Sequence, residues 1–487
     1  MRPISRRNAL LLGGLGTAAI AAGGAGLWWT ASSRFSPVAG VEFTEPDALR
    51  SSNGRLQVRL EASPGPVQLG GQQASALGYN GGVPGPTLHL RAGDVLAVEL
   101  VNSMAVPTNL HVHGLHVSPQ GNGDNVFVVV QPGHSFSYEY RLPADHPPGV
   151  YWYHPQHHGM VADQIFAGLF GAIIVEDTDP PATSRERIMV VSDITLDGSG
   201  TVPDTSPMDR MLGREGELVL VNGQSNPKLT ARPGERERWR IVNTCVARYL
   251  RLRLDGQQMQ LLGMDSGRFP TPRDMEELLL APGNRADVLV TAAAGDTTLR
   301  AVYHNRGGMA AMMGPAGPDP NGGQGTAEIV LATLSVSGAP TAFLPAVPAQ
   351  PAPADLRAAA VAAHRQLTLA VGGMGMGMGM MSFTINGREF NPSRTDTTVA
   401  AQTVEEWTLI NPSPMDHPFH LHVWPMQIVE QPDTAPDATL WRDVVNIPAN
   451  GQVRVRINFK DFTGRSVYHC HILDHEDQGM MGVVEVR

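Results

Sequence analysis

The run His469-Cys470-His471-Ile472-Leu473-Asp474-His475-Glu476-Asp477-Gln478-Gly479-Met480-Met481 gathers a thiol, three imidazoles and two thioethers into thirteen residues near the C-terminus. Side chains alternate faces along a strand, so His469 and His471 are expected on one face and Cys470 on the other. Cysteine with two imidazoles and a weak thioether is the donor set of an electron-transfer copper site, for which His475 and Met480 are downstream candidates. The imidazoles on the opposite face would then serve a second metal centre. One tripeptide would join both centres through covalent bonds, the connection an electron relay needs.

Three further clusters hold most of the other imidazoles of interest: His111-Val112-His113, His154-Pro155-Gln156-His157-His158 and His417-Pro418-Phe419-His420-Leu421-His422. A histidine content of 17 in 487 residues gives roughly 0.6 His-x-His pairs by chance, and three are present, so the clusters carry weight beside the copper-like thiol. His89, His116, His134, His146, His304 and His364 stand apart from them and are read as structural.

These clusters must be held by short strands. Gly 53 and Pro 39 make about a fifth of the chain, which favours strands and turns over long helices. Leu88–Arg91, Val95–Leu100, Trp239–Val242 and Val453–Ile457 alternate or nearly so, and no helical period persists. An all-β architecture of sandwiches or barrels follows. Asn80-Gly81, Asn222-Gly223 and Asn386-Gly387 each lie upstream of a strand-like segment, Asp94–Leu100, Glu237–Val242 and Thr403–Ile410, which predicts three related β domains. The expected bounds are 37–178, 179–336 and 355–487, with the Pro/Ala-rich stretch 337–354 as an extended linker.

The clusters resemble the four copper-binding motifs of the multicopper oxidase family in its three-cupredoxin-domain form, and the resemblance spans the chain after its N-terminal segment. Two motifs lie in the first domain and two in the last, in the family's order. The resemblance implies three cupredoxin-like Greek-key β domains and four copper ions per chain. A type 1 copper would accept single electrons, and a trinuclear cluster of one type 2 and two type 3 coppers would reduce dioxygen to water. Carried over by motif, His417, Cys470, His475 and Met480 match type 1 ligands, and His111 and His420 match type 2. His113, His154, His422, His469 and His471 match type 3. Glu476 and Asp124 match carboxylates that supply protons to the cluster, a role suited to acids beside metal charge.

One position departs from the family pattern. Its second motif reads His-x-His, whereas this chain has His154-Pro155-Gln156, then His157 and His158. Alternation puts Gln156 where the eighth cluster imidazole belongs and His157 on the wrong face. An amide carbonyl is a neutral, harder and weaker donor than imidazole. Three outcomes are open: Gln156 ligates weakly, a bulge brings His157 into place, or one type 3 copper is labile. The alternative function is therefore a copper-binding or sequestering protein with an impaired cluster.

The electron donor is suggested by Gly372-Gly373-Met374-Gly375-Met376-Gly377-Met378-Gly379-Met380-Met381. Glycine supplies flexibility and no packing surface, while thioethers are soft donors that hold Cu(I) without titrating. Met309, Met312 and Met313 add a second such stretch, so eight of the 21 methionines fall in two short segments. Met415, two residues before His417, falls where cuprous-oxidising family members place a substrate methionine. The resemblance is to bacterial copper-tolerance oxidases more than to fungal or plant laccases. Candidate substrate ligands are Met376, Met378, Met380 and Met415, with Cu(I) or a small phenol as donor and dioxygen as acceptor.

The remaining features set the compartment and exclude partners. Ser5-Arg6-Arg7-Asn8-Ala9-Leu10-Leu11 and the charge-free run to Trp29 resemble a twin-arginine export signal over residues 1–36. It is either cleaved or kept as an anchor, the only membrane contact expected, and both place the folded part in the periplasm or at the cell surface. A net charge of −10 without a basic stripe argues against nucleic acid. The second cysteine, Cys245, is read as a small buried hydrophobe in or beside a strand.

Overall fold

The computed structural model describes residues 35–308, 328–372, 381–432, 435 and 437–487. The expected export signal lies outside these residues as far as Arg34, as do Met376, Met378 and Met380 and the stretch carrying Met309, Met312 and Met313. No helix among the described residues is long and apolar enough to cross a membrane.

Strands dominate, arranged in six sheets that form three cupredoxin-type domains, with the helices short. Alternation of buried and exposed side chains builds them: Arg55–Leu69 starts with three exposed–buried repeats, and Gly451–Asn458 buries Val453, Val455 and Ile457. Each domain has its own apolar core, around Tyr138 and Tyr153 in the first, Trp239 in the second and Trp407 in the third.

The Asn-Gly pairs are one device used three times. Asn80, Asn222 and Asn386 have φ of 54°, 52° and 53°, a left-handed conformation that asparagine tolerates better than bulkier residues. Each side chain bridges to a neighbouring strand. Their Oδ1 atoms accept from the backbone N–H of Glu61, Val190 and Thr368, at 2.8 Å in every case. Their Nδ2 groups donate to the carbonyls of Arg59, Ile188 and Gln366. A second device recurs in the last two domains. Arg187 pairs with Glu237, which accepts from Trp239 Nε1 at 2.8 Å; Arg365, Glu405 and Trp407 repeat it at 2.8 Å. Satisfying a buried carboxylate with a guanidinium fork and an indole avoids an unpaired charge in the core.

Cys245 follows the strand Arg236–Asn243, is buried, and donates its N–H to Asn243 Oδ1 at 3.1 Å. Ser413 does the same to Asn411 at 3.0 Å in the last domain, so the two residues hold equivalent places. Cys245 and Cys470 are both free thiols.

Register positions the histidine motifs. The strand His111–His113 pairs antiparallel with Gly149–His154, setting His111 opposite His154. His417–Leu421 pairs with Gly464–Cys470, setting His420 opposite His469 and Phe419 opposite Cys470. On its other side His417–Leu421 pairs with Val444–Ile447. A small apolar cluster of Val126 with Val467, Met481 and Val483 ties the first motif's domain to the last.

Candidate metal centre

Cys470, at the end of its strand, faces a pocket of soft and neutral donors. Its Sγ lies 3.4 Å from His417 Nδ1 and 4.0 Å from His475 Nδ1. All three residues are fully buried. His475 comes from the short helix Leu473–Asp477, which turns the chain back so that Met480 is buried in the same core cluster as Cys470. Met480 O accepts from Cys470 N–H at 3.0 Å, and Met480 N–H donates to His475 O at 3.0 Å. Outer partners fix both imidazoles with the donor nitrogen inward. His475 Nε2–H donates to Met211 O at 3.1 Å, and His417 Nε2 lies 2.9 Å from Ser413 Oγ, whose own proton has acceptors in Asn411 Oδ1 and Met415 O. Burial lowers His417 to about 3 and holds His475 well below the imidazole range, so both imidazoles are neutral. Burial also pushes the Cys470 thiol up, so thiolate there requires a cation beside it.

On the other face the imidazoles meet in pairs whose lone pairs confront one another. His111 Nδ1–H donates to Asp124 Oδ1 at 2.9 Å, and His420 Nδ1–H donates to Asp443 O at 2.8 Å. Their Nε2 atoms then face each other at 3.5 Å. His154 donates from Nδ1 to Pro155 O at 2.8 Å and His113 from Nε2 to Asp443 Oδ1 at 3.1 Å, leaving His154 Nε2 and His113 Nδ1 at 3.4 Å. His469 donates from Nδ1 to Cys470 O at 3.0 Å, so its Nε2 faces that of His422 at 3.0 Å. His471 has no hydrogen-bond partner on either ring nitrogen, and its ring lies 5.0 Å from that of His113. Burial, reinforced by neighbouring imidazoles, holds His113, His154, His420, His422 and His471 well below their ordinary range. Opposed, unprotonated and buried donors of this kind call for cations between them.

Most of the chain has matches in one family. Models described as multicopper oxidase match residues 62–180, 151–311 and 362–487. The multicopper oxidase MmcO of Mycobacterium tuberculosis is 30% identical, covering 93% of this chain and 91% of its own. This chain belongs to the multicopper oxidase family. Multicopper oxidase mco of Staphylococcus aureus is 27% identical, covering 91% of this chain and 92% of its own. A solved multicopper oxidase of Campylobacter jejuni, described as a metallo-oxidase, superposes with a TM-score of 0.80 at 30% identity, covering 92% and 95% of the two chains.

Membership in the multicopper oxidases implies copper, and the donors fit it: thiol, thioether and neutral imidazoles, the softer end of the protein's repertoire. Stacking of His111 on His422 at 3.7 Å and of His113 on His420 at 3.8 Å joins the imidazoles into one cluster, in which the nearest ring nitrogens pair His111 with His420, His113 with His154, and His422 with His469. Gln156 joins the last group. It is 1% exposed, with Nε2 donating to Glu476 Oε1 at 2.6 Å and lying 3.3 Å from His469 Nε2. A carboxylate only accepts, so the amide nitrogen faces Glu476, and Gln156 Oε1 is left buried without a partner. His157 is half-buried and joins no donor group among the described residues.

Of the acids, Asp124 orients His111, and Glu476 Oε2 lies 3.1 Å from His469 Nδ1 without hydrogen-bond alignment. Met415 is buried and its backbone bridges to Gly307, bringing the segment before the second Met-rich stretch against it. Three residues given no role from sequence enter the site. Asp443 holds His113 and His420. His158, with a buried unpartnered Nδ1, clusters with Glu476 and Asp477. Asp477 accepts the N–H groups of Gly159, Val161 and Ala162, fastening the second motif to the last.

Asp124→Asn removes the anionic acceptor that sets the His111 tautomer. The expected result is a ~10–100-fold loss of copper affinity at the histidine cluster, with the blue Cys470-centred colour kept, read by metal analysis beside absorption.

Proposed function

We propose that the chain couples oxidation of Cu(I) to reduction of dioxygen to water, with small phenols as secondary donors. The arrangement that supports this reading best is Cys470, placed with His417 and His475 on one face while its covalent neighbours His469 and His471 belong to the histidine cluster on the other. Under it, His417, Cys470, His475 and Met480 would hold a type 1 copper, His111 and His420 a type 2 copper. His113, His154, His471, His422, His469 and Gln156 would hold a type 3 pair. Bound copper supplies one-electron acceptance at the thiolate site and dioxygen reduction at the cluster. The protein supplies the rest. Cys470 gives the shortest covalent link between the two donor sets, and burial excludes water from both. Asp124 and Glu476 keep carboxylates beside the cluster, where protons are consumed. Four Cu(I) ions and four protons are used per dioxygen, giving four Cu(II) and two waters.

Cu(I) is favoured over a phenol by what surrounds His475. Its ring stacks on Phe383 at 4.4 Å, and Phe383 closely follows the Gly/Met stretch. Of the described residues at its two ends, Gly372 donates its N–H to Ser382 O at 2.7 Å, and Met381 packs on the core cluster containing Cys470 and Met480. The described residues that flank this soft-donor sequence thus lie beside the proposed electron entry point. The relative described as a metallo-oxidase agrees with this chemistry. We assign the folded part to the periplasm or cell surface, on the twin-arginine segment alone.

Oxygen uptake by copper-loaded protein offered Cu(I) or a phenol tests the reading; four bound coppers with no Cu(I)-dependent uptake overturns it. Deleting residues 372–381 is expected to depress Cu(I) oxidation several-fold more than oxidation of an organic dye, and equal losses count against the Met-rich stretch. Gln156 favours one second reading, a copper-sequestering protein, because its amide nitrogen is committed to Glu476 and offers the cluster no imidazole.

A further inference from the structure

The middle domain contributes none of the candidate donors, yet one of its side chains reaches the cluster. Arg285 begins the strand Arg285–Thr291 and is fully buried. Its Nη1 and Nη2 clasp Asp443 Oδ1 and Oδ2 at 2.5 and 2.6 Å, and its Nε donates to Val150 O of the first domain at 3.0 Å. Asp265, also buried, accepts from Arg285 N–H at 3.0 Å and from Asn284 Nδ2, while Asn284 reaches Val444 O at 3.1 Å. The sequence makes room for the clasp: Gly114 has φ of +85°, and a Cβ there would stand 2.3 Å from Arg285 Nη2 and 2.8 Å from Asp443 Oδ2. Gly283, on the same turn, also has φ of +85°, and a Cβ would stand 2.8 Å from the His471 ring.

A buried ion pair adds little net stability over apolar residues of the same shape, so stability alone does not account for it. What a planar guanidinium does well is fix the plane of a carboxylate. Here that plane sets Asp443 Oδ1 as acceptor for His113 Nε2–H, which turns His113 Nδ1 toward His154. We propose that Arg285 is a positioning residue through which the middle domain, by way of Asp443, orients His113 and so governs copper occupancy of the group His113, His154 and His471. The inference rests on the copper reading given above.

The test is the double variant Arg285→Met/Asp443→Leu, which removes both charges of the pair and leaves Asp265 to the Asn284 amide and the backbone N–H of residue 285, beside the single variant Arg285→Lys, which keeps the charge and loses the planar fork. Copper per chain and copper affinity are measured on each, with the blue absorption of the Cys470 site and the metal-free melting temperature as controls. The Arg285→Lys variant is expected to melt closer to the parent than the double variant, and both are expected to keep full blue colour while binding copper at the cluster ~10–100-fold more weakly. Parental cluster occupancy in whichever variant folds overturns the proposal, as does equal loss from both sites. A parent holding only one copper overturns this proposal and the oxidase reading together; unaffected variants of a four-copper parent overturn this proposal alone.

Discussion

Cys470→Ser is expected to remove the blue colour entirely and to abolish oxygen uptake with any electron donor. A hydroxyl is a hard, poorly ionised donor, whereas thiolate binds copper through a soft, polarisable sulfur. The substitution leaves the strand, its pairing and the flanking His469 and His471 in place, because Cys470 contributes to the ladder through its backbone. Cluster copper is therefore expected to remain close to the parental level. Retained uptake with Cu(I) would mean that electrons enter the cluster without passing the sulfur, and the relay would be wrong. The comparison needs metal analysis on the same sample.

Gln156→His has the second-largest expected effect, and its direction is upward. An imidazole at position 156 would present a stronger donor to the group of His422 and His469, and its second nitrogen could keep the bond to Glu476 that the amide now makes at 2.6 Å. Copper held in that group is expected to tighten by on the order of tenfold, with oxygen uptake rising where that ion limits turnover. Gln156→Leu is the counterpart: it removes both the carbonyl oxygen and the donor to Glu476, and copper in that group should fall. If both variants match the parent in copper content and rate, residue 156 lies outside the working cluster. If only Gln156→His turns over dioxygen, sequestration is the better description of the native chain.

The reach of sequence reasoning followed the distance over which information must travel. Asn80, Asn222 and Asn386 announced related domains because a left-handed turn needs a particular residue locally. Cys470 and the histidines around it were legible because few residue types bind soft metals, and strand register carries them to one face or the other. Gln156 could be placed by alternation, although the strand itself ends at His154. Beyond that end the rule weakens, and nothing in the spacing distinguished His158, which approaches Glu476, from His157, which does not. Arg285 and Asp443 were invisible for a different reason. They are 158 residues apart, on different domains, and each alone reads as an ordinary charged residue in or beside a strand. Only packing of three domains shows that the pair has no access to water.

The order of the donors along the chain bears on biosynthesis. His111 and His154 are made early, but their partners, from His417 through Met480, emerge last. A ribosome that has not yet reached the last domain therefore holds His111 without His420 and lacks Cys470 altogether. Assembly of the thiol site must wait for the segment from His417 to Met480, and a stop before Cys470 removes the thiol together with His471 and His475.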